Sequence, residues 1–315
     1  MPLVTRRAPR DEANGGQAAV ARAGSLFPRC SNPRCATGWV HLWRSRRIPA
    51  FEGKWACSAE CMRELVAAAV RRAMDGGDAG GLVHPHRLPM GLTLVEQGKI
   101  TARQLREALE GQRRAAEEGG ERMRLGEWLL KSGVLGEPAL TRALGAQWNC
   151  PVFSLDGYRP QELASALPRF LSDALGALPV RAPGGTQLHV AFSGRVDRTL
   201  SYALERMTGL KVVAGVARDS EFVAAQGRYL ASEGPRARFL EAASSRVLVR
   251  TLANLIETEK PVEARLARVH DYYWLRLWRR TEEGSGLASP DAVEDLLATL
   301  GGATGSPGRI NQISK

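Results

Sequence analysis

The chain has 315 residues, of which 44% are hydrophobic, and it carries a formal net charge of +11 at pH 7. This length suits two or three domains, and the composition is that of a soluble globular protein. The sequence contains no apolar run of about 18 residues, which excludes a conventional membrane-spanning helix. The first arginines are not followed by an apolar stretch, so no secretory signal is predicted and the protein is expected in the cytoplasm.

The positive charge is concentrated towards the N-terminus. Residues 1–90 contain 14 Lys and Arg against 7 Asp and Glu, whereas residues 91–315 contain 30 against 26. Such a bias attracts polyanions, so nucleic-acid binding through the basic N-terminal region is one interpretation. A solvated, arginine-rich surface explains the same numbers equally well.

The first predicted elements are a disordered segment, residues 1–27, and a zinc-binding module, residues 28–75. The module contains two close cysteine pairs, Cys30 with Cys35 and Cys57 with Cys61. Structural zinc takes four soft ligands in a tetrahedron, and two such pairs supply them. Because the second pair opens a predicted helix after a first pair on a turn, the segment resembles a treble-clef zinc module.

Other interpretations of the cysteines are disulfides or unrelated thiols, and a cytoplasmic location argues against disulfides. His41 lies between the pairs and is a candidate replacement ligand, although a surface histidine is the simpler interpretation. Four cysteines fill the coordination shell of zinc, so a structural metal is expected rather than a catalytic one. Cys150 is interpreted as a small buried apolar side chain.

A glycine-rich linker is predicted at residues 76–86, followed by a duplicated helical unit at residues 87–150. The duplication is visible by eye: residues 89–112 (PMGLTLVEQGKITARQLREALEGQ) align with residues 124–147 (RLGEWLLKSGVLGEPALTRALGAQ) at an offset of 35. Identical residues recur at Gly91/Gly126, Leu94/Leu129, Gly98/Gly133, Leu105/Leu140, Ala108/Ala143, Leu109/Leu144 and Gln112/Gln147. The chain therefore uses one supersecondary unit twice.

Each copy of the repeat is predicted to form a short helix, a glycine stop and a longer helix. In the first copy Gly98 is the stop, and Thr101 with Gln104 forms a capping box for the second helix. In the second copy Gly133 is the stop. Four helices in two pairs are expected to pack as a compact bundle.

Residues 151–232 are predicted to form a small α/β subdomain. Two apolar runs, Ala177–Arg181 and Gln187–Phe192, flank a proline-glycine turn and suggest two strands of one sheet. Helical and strand patterns then alternate at residues 195–207, 210–216 and 219–230.

The remainder is predicted as a helical C-terminal region, residues 236–300, and a disordered tail, residues 301–315. Within residues 261–280 arginines alternate with aromatic residues, which suggests an amphipathic helix packed on its predecessor or a nucleic-acid or membrane surface. Val262, Leu266, Val269 and Tyr273 give the apolar stripe that favours the packed helix. The fold class predicted for the chain is α+β and mostly helical, with an N-terminal zinc knuckle, a four-helix duplicated unit, a small α/β layer and C-terminal helices.

The pattern R-L-G-x-x-L-L-x-x-G with a later L-x-x-A-L-x-x-Q, present at residues 124–147, resembles a known motif. It is that of the N-terminal domain of type II secretion and type IV pilus assembly ATPases, the GspE/PilB/MshE N-terminal domain, called MshEN in its nucleotide-binding form. The likeness extends through the α/β part and covers about residues 87–230. It implies binding of cyclic di-GMP across the two motifs. It further implies ligand contacts from Gly91, Leu94, Val95, Gln112, Arg124, Leu125, Gly126, Leu129, Leu130 and Gln147.

The physical roles of these residues follow from their chemistry. Glycines allow close backbone approach, and Arg124 is suited to pair with phosphate and stack on a base. In the structural alternative, Gly98 and Gly133 are helix stops only, the leucines form the core, and Gln112 and Gln147 face the solvent. Pro89 stands where the family has an arginine in the first motif, and Arg87 is the nearest candidate to replace it.

The sequence lacks G-x-x-x-x-G-K-[ST], G-x-S-x-G and H-E-x-x-H, so neither a motor ATPase nor another enzyme is predicted. The predicted function is a non-catalytic cyclic di-GMP sensor or adaptor, with a secretion or pilus machinery protein as a further partner. The alternatives are a nucleic-acid-binding regulator built on the zinc module, and a protein–protein adaptor that has lost the ligand.

Overall fold

The computed structural model describes residues 30–35, 49–76, 89–119, 123–281 and 286–301. The predictions for residues 1–27, for most of the linker, for His41 and Arg87 and for residues 302–315 therefore lie outside the described residues. None of the described helices combines the length and the apolar character needed to cross a membrane.

The N-terminal segment forms a β-hairpin and a helix: β1 (Ala50–Phe51), β2 (Lys54–Trp55) and α1 (Ala59–Asp75). Helix α1 begins where predicted, because the Ser58 hydroxyl caps it by accepting a hydrogen bond from the Cys61 backbone N–H at 3.2 Å. Its apolar stripe is buried, and it comprises Met62, Leu65, Val66, Ala69 and Val70.

The duplicated unit forms four helices, α2 (Met90–Glu96), α3 (Ala102–Glu117), α4 (Leu125–Lys131) and α5 (Glu137–Trp148). The predicted capping box is present, with Gln104 N–H donating to the Thr101 hydroxyl at 3.2 Å and Thr101 N–H donating to the Gln104 amide oxygen at 2.8 Å. Gly98 and Gly133 have φ of 63° and 70°, as helix stops require. The short helix of each copy packs on the long helix of the other, α2 on α5 and α4 on α3.

The small α/β layer follows as β3 (Val152–Phe153), α6 (Arg169–Leu175), β4 (Ala177–Arg181), β5 (Gln187–Phe192), α7 (Arg198–Thr208), β6 (Lys211–Ala217) and α8 (Asp219–Ala231). Its four strands lie in the order β3-β6-β5-β4. The predicted β4–β5 pairing is antiparallel, and β5 pairs with β6 in parallel. The sequence pattern therefore located this sheet correctly.

The C-terminal region departs from the prediction of helices. It contains β7 (Arg236–Ala242), α9 (Ser245–Glu259), β8 (Glu263–Val269), β9 (Tyr272–Trp278) and β10 (Val293–Leu300). Of the predicted C-terminal helices only α9 is present, and the segment after Pro290 is a single 3₁₀ turn leading into β10. The mixed α and β fold is confirmed, with more helix than strand among the described residues.

The physical reason for the error is that this sheet is buried on both faces. Helices α1 and α9 cover one face and α7 packs against the other, so five consecutive residues of β9 are buried. A strand covered on both faces loses the alternation that identifies it in sequence. The supposed helical stripe spans two strands that turn at His270 (φ 53°), and its first member, Val262, is 46% exposed.

The N-terminal hairpin belongs to this second sheet, whose order is β2-β1-β8-β9-β10-β7. Strand β1 pairs in parallel with β8, placing Phe51 opposite Ala264. Apolar residues of α1, α9 and β8 share one core, and the opposite face of the sheet contributes Val269 and Trp274 to the core of the α/β layer. Residues 50–75 and 236–300 are therefore joined through one sheet although they are distant in sequence.

Candidate metal centre and ligand site

The four cysteines of the two predicted pairs lie together. All four Sγ atoms are within 4.8 Å of one another, with Cys35–Cys57 at 3.5 Å and Cys57–Cys61 at 3.6 Å. A tetrahedral zinc ion with Zn–S bonds of ~2.3 Å holds its sulfurs about 3.8 Å apart, so this donor set fits one metal ion. The sulfurs are too far apart for disulfides, whose S–S bond is about 2.05 Å, and none of the four cysteines forms one.

Two structural elements bring the sulfurs together. The first pair lies on a tight turn in which Cys35 N–H donates to the Asn32 carbonyl at 3.1 Å, and the second pair flanks the start of α1. The buried Asn32 side chain connects the two pairs, because its amide donates to Cys61 Sγ at 3.3 Å while its oxygen accepts from Arg34 N–H. Sequence reasoning missed Asn32, although an asparagine between two cysteines is a common turn signal.

Burial, together with hydrogen bonds to Cys35 and Cys61, raises the pKa of the Cys57 thiol to about 12. Burial likewise raises the pKa of Cys30. Without a cation these thiols are held in the neutral form, whereas a bound metal ion stabilises the thiolate outright. With four sulfurs the coordination shell is complete, so the cluster offers no vacant position for catalysis.

The second candidate site is formed by the start of α2 and the start of α4, here called the glycine corners. A Cβ on Gly91 would lie 3.2 Å from Leu125, and a Cβ on Gly126 would lie 3.4 Å from Met90. Met90 and Leu125 are themselves equivalent residues of the two repeats. The two corners therefore face each other with an approximate twofold relationship.

In the structure Gly91 and Gly126 make room for packing within the protein, whereas the predicted role was contact with a ligand. A Cβ on Gly91 would lie 2.6 Å from Leu105, and one on Gly126 would lie 3.0 Å from Leu140. The space that a side chain would fill is thus taken by leucines of the protein itself. These glycines allow the helices to approach closely, a role that the sequence did not predict for them.

The remaining predicted contacts divide by exposure. Leu94 and Leu129 are fully buried in the core of the bundle and are out of reach of a surface ligand. Leu125, Val95 and Leu130 are half-buried at its edge.

Polar residues of the motif have distinct surroundings. The Gln112 amide donates to the Met123 carbonyl at 2.6 Å, which holds the segment leading into α4, while Gln147 is half-buried. Arg124 is exposed, and its guanidinium lies 3.4 Å from the Cβ position of Gly194, in the loop between β5 and α7. Arg124 is therefore the predicted ligand residue best placed to meet an anion.

Two surface clefts open on either side of the end of α5. The first has a volume of about 420 Å³ and is lined by Arg142, Gly145, Ala146 and residues 149–152. The second has a volume of about 320 Å³ and lies between Trp148 and α7. Neither is lined by the residues predicted for the nucleotide. Sequence reasoning did not identify these clefts, because the walls come from elements that meet only in the folded chain.

Comparison with solved structures finds the structure of MshE with cdg, cyclic di-GMP, which is 27% identical and covers 45% of this chain and 99% of that one, with a TM-score of 0.37. Two crystal forms of the N-terminal domain of XpsE are each 19% identical, cover 44% of this chain and 92% and 91% of theirs, and give TM-scores of 0.33 and 0.26. No family model and no curated protein matches the chain. The resemblance to the secretion and pilus ATPase N-terminal domain that residues 124–147 predict is confirmed for somewhat less than half of the chain.

Proposed function

We propose that the chain is a non-catalytic sensor or adaptor in which the duplicated helical unit binds cyclic di-GMP and the cysteine cluster holds a structural zinc ion. The observation that carries the first part is the approach of the two glycine corners, Gly91 beside Leu125 and Gly126 beside Met90. Cyclic di-GMP has two identical halves, each with one guanine and one phosphate. A site made of two equivalent corners presents similar surroundings to both halves.

Within this site the residues take different roles. Arg124 supplies a charge-assisted hydrogen bond to phosphate and a flat surface for a guanine. Leu125 and the half-buried Val95 and Leu130 supply apolar contact, and Gln147 supplies a hydrogen-bonding amide. Gly91 and Gly126 act indirectly, since the close packing that they permit brings the corners together.

The first glycine corner offers fewer groups for binding an anion than the second. Pro89 occupies the position equivalent to Arg124 and has no charged group and no N–H. A charge-assisted hydrogen bond contributes roughly 1.5–3 kcal/mol, so the missing arginine weakens binding by about tenfold or more. The affinity is therefore expected to be lower than that of a site with two arginines.

The zinc proposal rests on the donor set. Four thiolates with no other ligand type suit zinc in a closed structural site. The ion would fix the turn at residues 30–35 to α1 and so hold β1 against β8. Its contribution is to folding and not to a reaction.

The remaining organisation follows from these two assignments. We propose a zinc module at residues 28–75, the duplicated ligand unit at residues 87–150 and an α/β subdomain at residues 151–232. The protein is placed in the cytoplasm, where a component of a secretion or pilus machinery would recognise its ligand-bound state.

Calorimetric titration of the full chain with cyclic di-GMP tests the ligand. Wild-type protein is expected to bind, and Arg124→Ala to bind at least about tenfold more weakly. Arg106→Ala removes an exposed arginine on α3, away from the corners, and serves as the matched control. Absence of heat at high micromolar ligand would exclude cyclic di-GMP as the ligand. Equal affinity for Arg124→Ala and wild type would exclude the proposed contact between Arg124 and the ligand.

A further inference from the structure

We propose that the cleft between the end of α5 and helix α7 is a second ligand site, specific for a guanine nucleotide such as GMP. It has a volume of about 320 Å³, within the range of small-molecule pockets. Its lining residues differ from those proposed for cyclic di-GMP, although Arg124 lies against Gly194, next to Arg195, and the inference does not depend on the function proposed for the glycine corners.

The first observation is the division of α7 into two faces. Leu200, Ala203, Leu204 and Met207 are buried against the sheets. The opposite face lines the cleft with Arg198, Ser201, Tyr202 and Glu205, which are spaced three and four residues apart. One helix thus presents a cation, a hydroxyl, an aromatic ring and a carboxylate to the same space.

The second observation is the aromatic character of the walls. Tyr202 is 61% exposed, which is unusual for a large ring, and Trp148 lines the cleft from the end of α5. The guanidinium of Arg195 lies over the Trp148 ring, 5.9 Å from its centroid. Rings and a guanidinium plane around one opening are the surfaces on which nucleic acid bases stack.

The polar groups of the cleft favour guanine over adenine and favour a ligand that carries a phosphate. Glu205 is held in place because one of its carboxylate oxygens accepts from the Val212 N–H at 2.9 Å. Its carboxylate is suited to accept from adjacent donors, which guanine presents on its Watson–Crick edge through its ring N–H and amino group, whereas adenine presents only its amino group. Arg195 and Arg198 are exposed at the rim and give the opening an excess of positive charge, which suits a phosphate.

The chemistry of the cleft is binding without reaction. The hydroxyl of Ser201 donates to the Asp197 carbonyl at 2.7 Å, which is the pattern of a helix side chain bonded to its own backbone. A nucleotide here would contact both the helical unit, through Trp148, and the α/β layer, through α7.

The test is a titration of the full chain with GMP, followed by calorimetry or by tryptophan fluorescence. We expect GMP to bind wild type, and Tyr202→Ala to weaken binding by about tenfold through the loss of one stacking surface. Val223→Ala is the matched control, because Val223 is also 61% exposed but lies on α8. Tyr202 is exposed, so its replacement leaves the core intact.

Three further arms make the result specific. Arg195→Ala should weaken GMP binding more than guanosine binding, AMP should bind more weakly than GMP, and Arg124→Ala should bind GMP like wild type. Lack of GMP binding at millimolar concentration would overturn the inference. It would equally be overturned by GMP binding that survives Tyr202→Ala and Arg195→Ala, or that is lost in Arg124→Ala.

Discussion

The carboxylate of Glu137 accepts two hydrogen bonds from Ser220, one from the backbone N–H at 2.6 Å and one from the hydroxyl at 2.7 Å. Glu137 is the first residue of α5 and Ser220 lies in the first turn of α8. The pair therefore connects the duplicated helical unit to the α/β layer across 83 residues of sequence. It fixes the second repeat on the sheet that carries the loop facing Arg124.

This pair predicts a pH-dependent stability. The Ser220 N–H hydrogen bond, followed by the Ser220 hydroxyl and Arg218, lowers the pKa of Glu137. A carboxyl whose pKa is lower in the folded chain stabilises the fold above its unfolded value and loses that contribution as pH falls through the folded value. Glu137→Gln should therefore lower the free energy of unfolding at pH 7 by up to about 1 kcal/mol, since solvent screens this partly exposed group.

Urea denaturation at pH 7 and at pH 3 measures the effect. The difference between wild type and Glu137→Gln should shrink at the lower pH, because the stability that the carboxylate supplies is lost as pH falls towards its lowered pKa. A difference that is the same at both pH values would show that the carboxylate charge does not matter. Glu107→Gln, on the exposed face of α3, controls for the general loss of one negative charge.

Gly111 provides a prediction about packing within the duplicated unit. A Cβ at this position would lie 2.3 Å and 2.7 Å from two carbons of the Trp128 ring, between α3 and α4. A rigid indole cannot move its atoms independently, so Gly111→Ala should destabilise the fold by about 1–3 kcal/mol. This loss should exceed the gain of about 1 kcal/mol in helix propensity that alanine brings.

Gly227 is the matched control for this substitution. It lies in α8 and is exposed, and no atom of the described residues outside its own helical turn lies within 4 Å of its Cβ position. Gly227→Ala should therefore keep the propensity gain and raise the thermal midpoint. If both variants were stabilised, the close contact between Gly111 and Trp128 would have to be relaxed in solution.

The extent to which the sequence predicted this fold depends on where the determining contacts lie. The helices of the repeat were predictable because Thr101, Gln104, Gly98 and Gly133 act on residues next to them. The cysteine cluster was predictable because its spacing reflects the ligand geometry of one ion. Both signals are local in sequence, and the structure retains both.

The C-terminal sheet was not predictable for the converse reason. Its strands are covered on both faces by elements from elsewhere in the chain, so burial is nearly continuous along β9 and β10. Glu52, at the turn of the first hairpin, pairs with Arg72 at 2.7 Å and also with Arg206, which is 154 residues away. No local pattern indicates such a contact.

The sequence also did not show which atoms pack against the two motif glycines. Conformation and spacing indicated that Gly91 and Gly126 needed to lack a side chain, but not which atoms occupied the space. The structure assigns that space to Leu105 and Leu140. Arg124, which was predicted as a ligand residue, is exposed, whereas Trp148 and Tyr202 were not singled out because they come together only through tertiary packing.

The proposed metal centre leads to a prediction about the stability of the sheet that contains β1 and β8. Strand β1 is held to β8 by hydrogen bonds that include Glu52 N–H to the Ala264 carbonyl at 2.7 Å. Removal of zinc by a chelator, or Cys61→Ser, should lower the thermal midpoint and should speed amide exchange at β1 more than at β6. Zinc analysis should give one ion per chain for wild type, and Cys150→Ser should keep that ion because Cys150 is not part of the cluster. A full zinc content in Cys61→Ser would contradict the assignment of this cysteine as a ligand.

The last prediction concerns the position where the motif arginine of the second repeat, Arg124, is replaced by Pro89 in the first. Pro89 caps α2 with φ −54° and ψ 136°, and Arg124 caps α4 with φ −72° and ψ 152°. Because the two backbones have nearly the same conformation, an arginine at position 89 fits without strain. Pro89→Arg should therefore tighten cyclic di-GMP binding by about tenfold or more, whereas Pro89→Ala should leave the affinity near that of wild type.

Leu92 adds a second step to the same experiment. It is 52% exposed and occupies the place of Glu127, whose carboxylate accepts from the Arg124 backbone N–H at 3.0 Å. Pro89→Arg creates a new backbone N–H at the start of α2, and Leu92→Glu would supply its acceptor. The double variant should thus be more stable than Pro89→Arg alone and should bind at least as tightly. If Pro89→Arg bound no more tightly than Pro89→Ala, the first corner would not contact the ligand, and the two repeats would serve only to position Arg124.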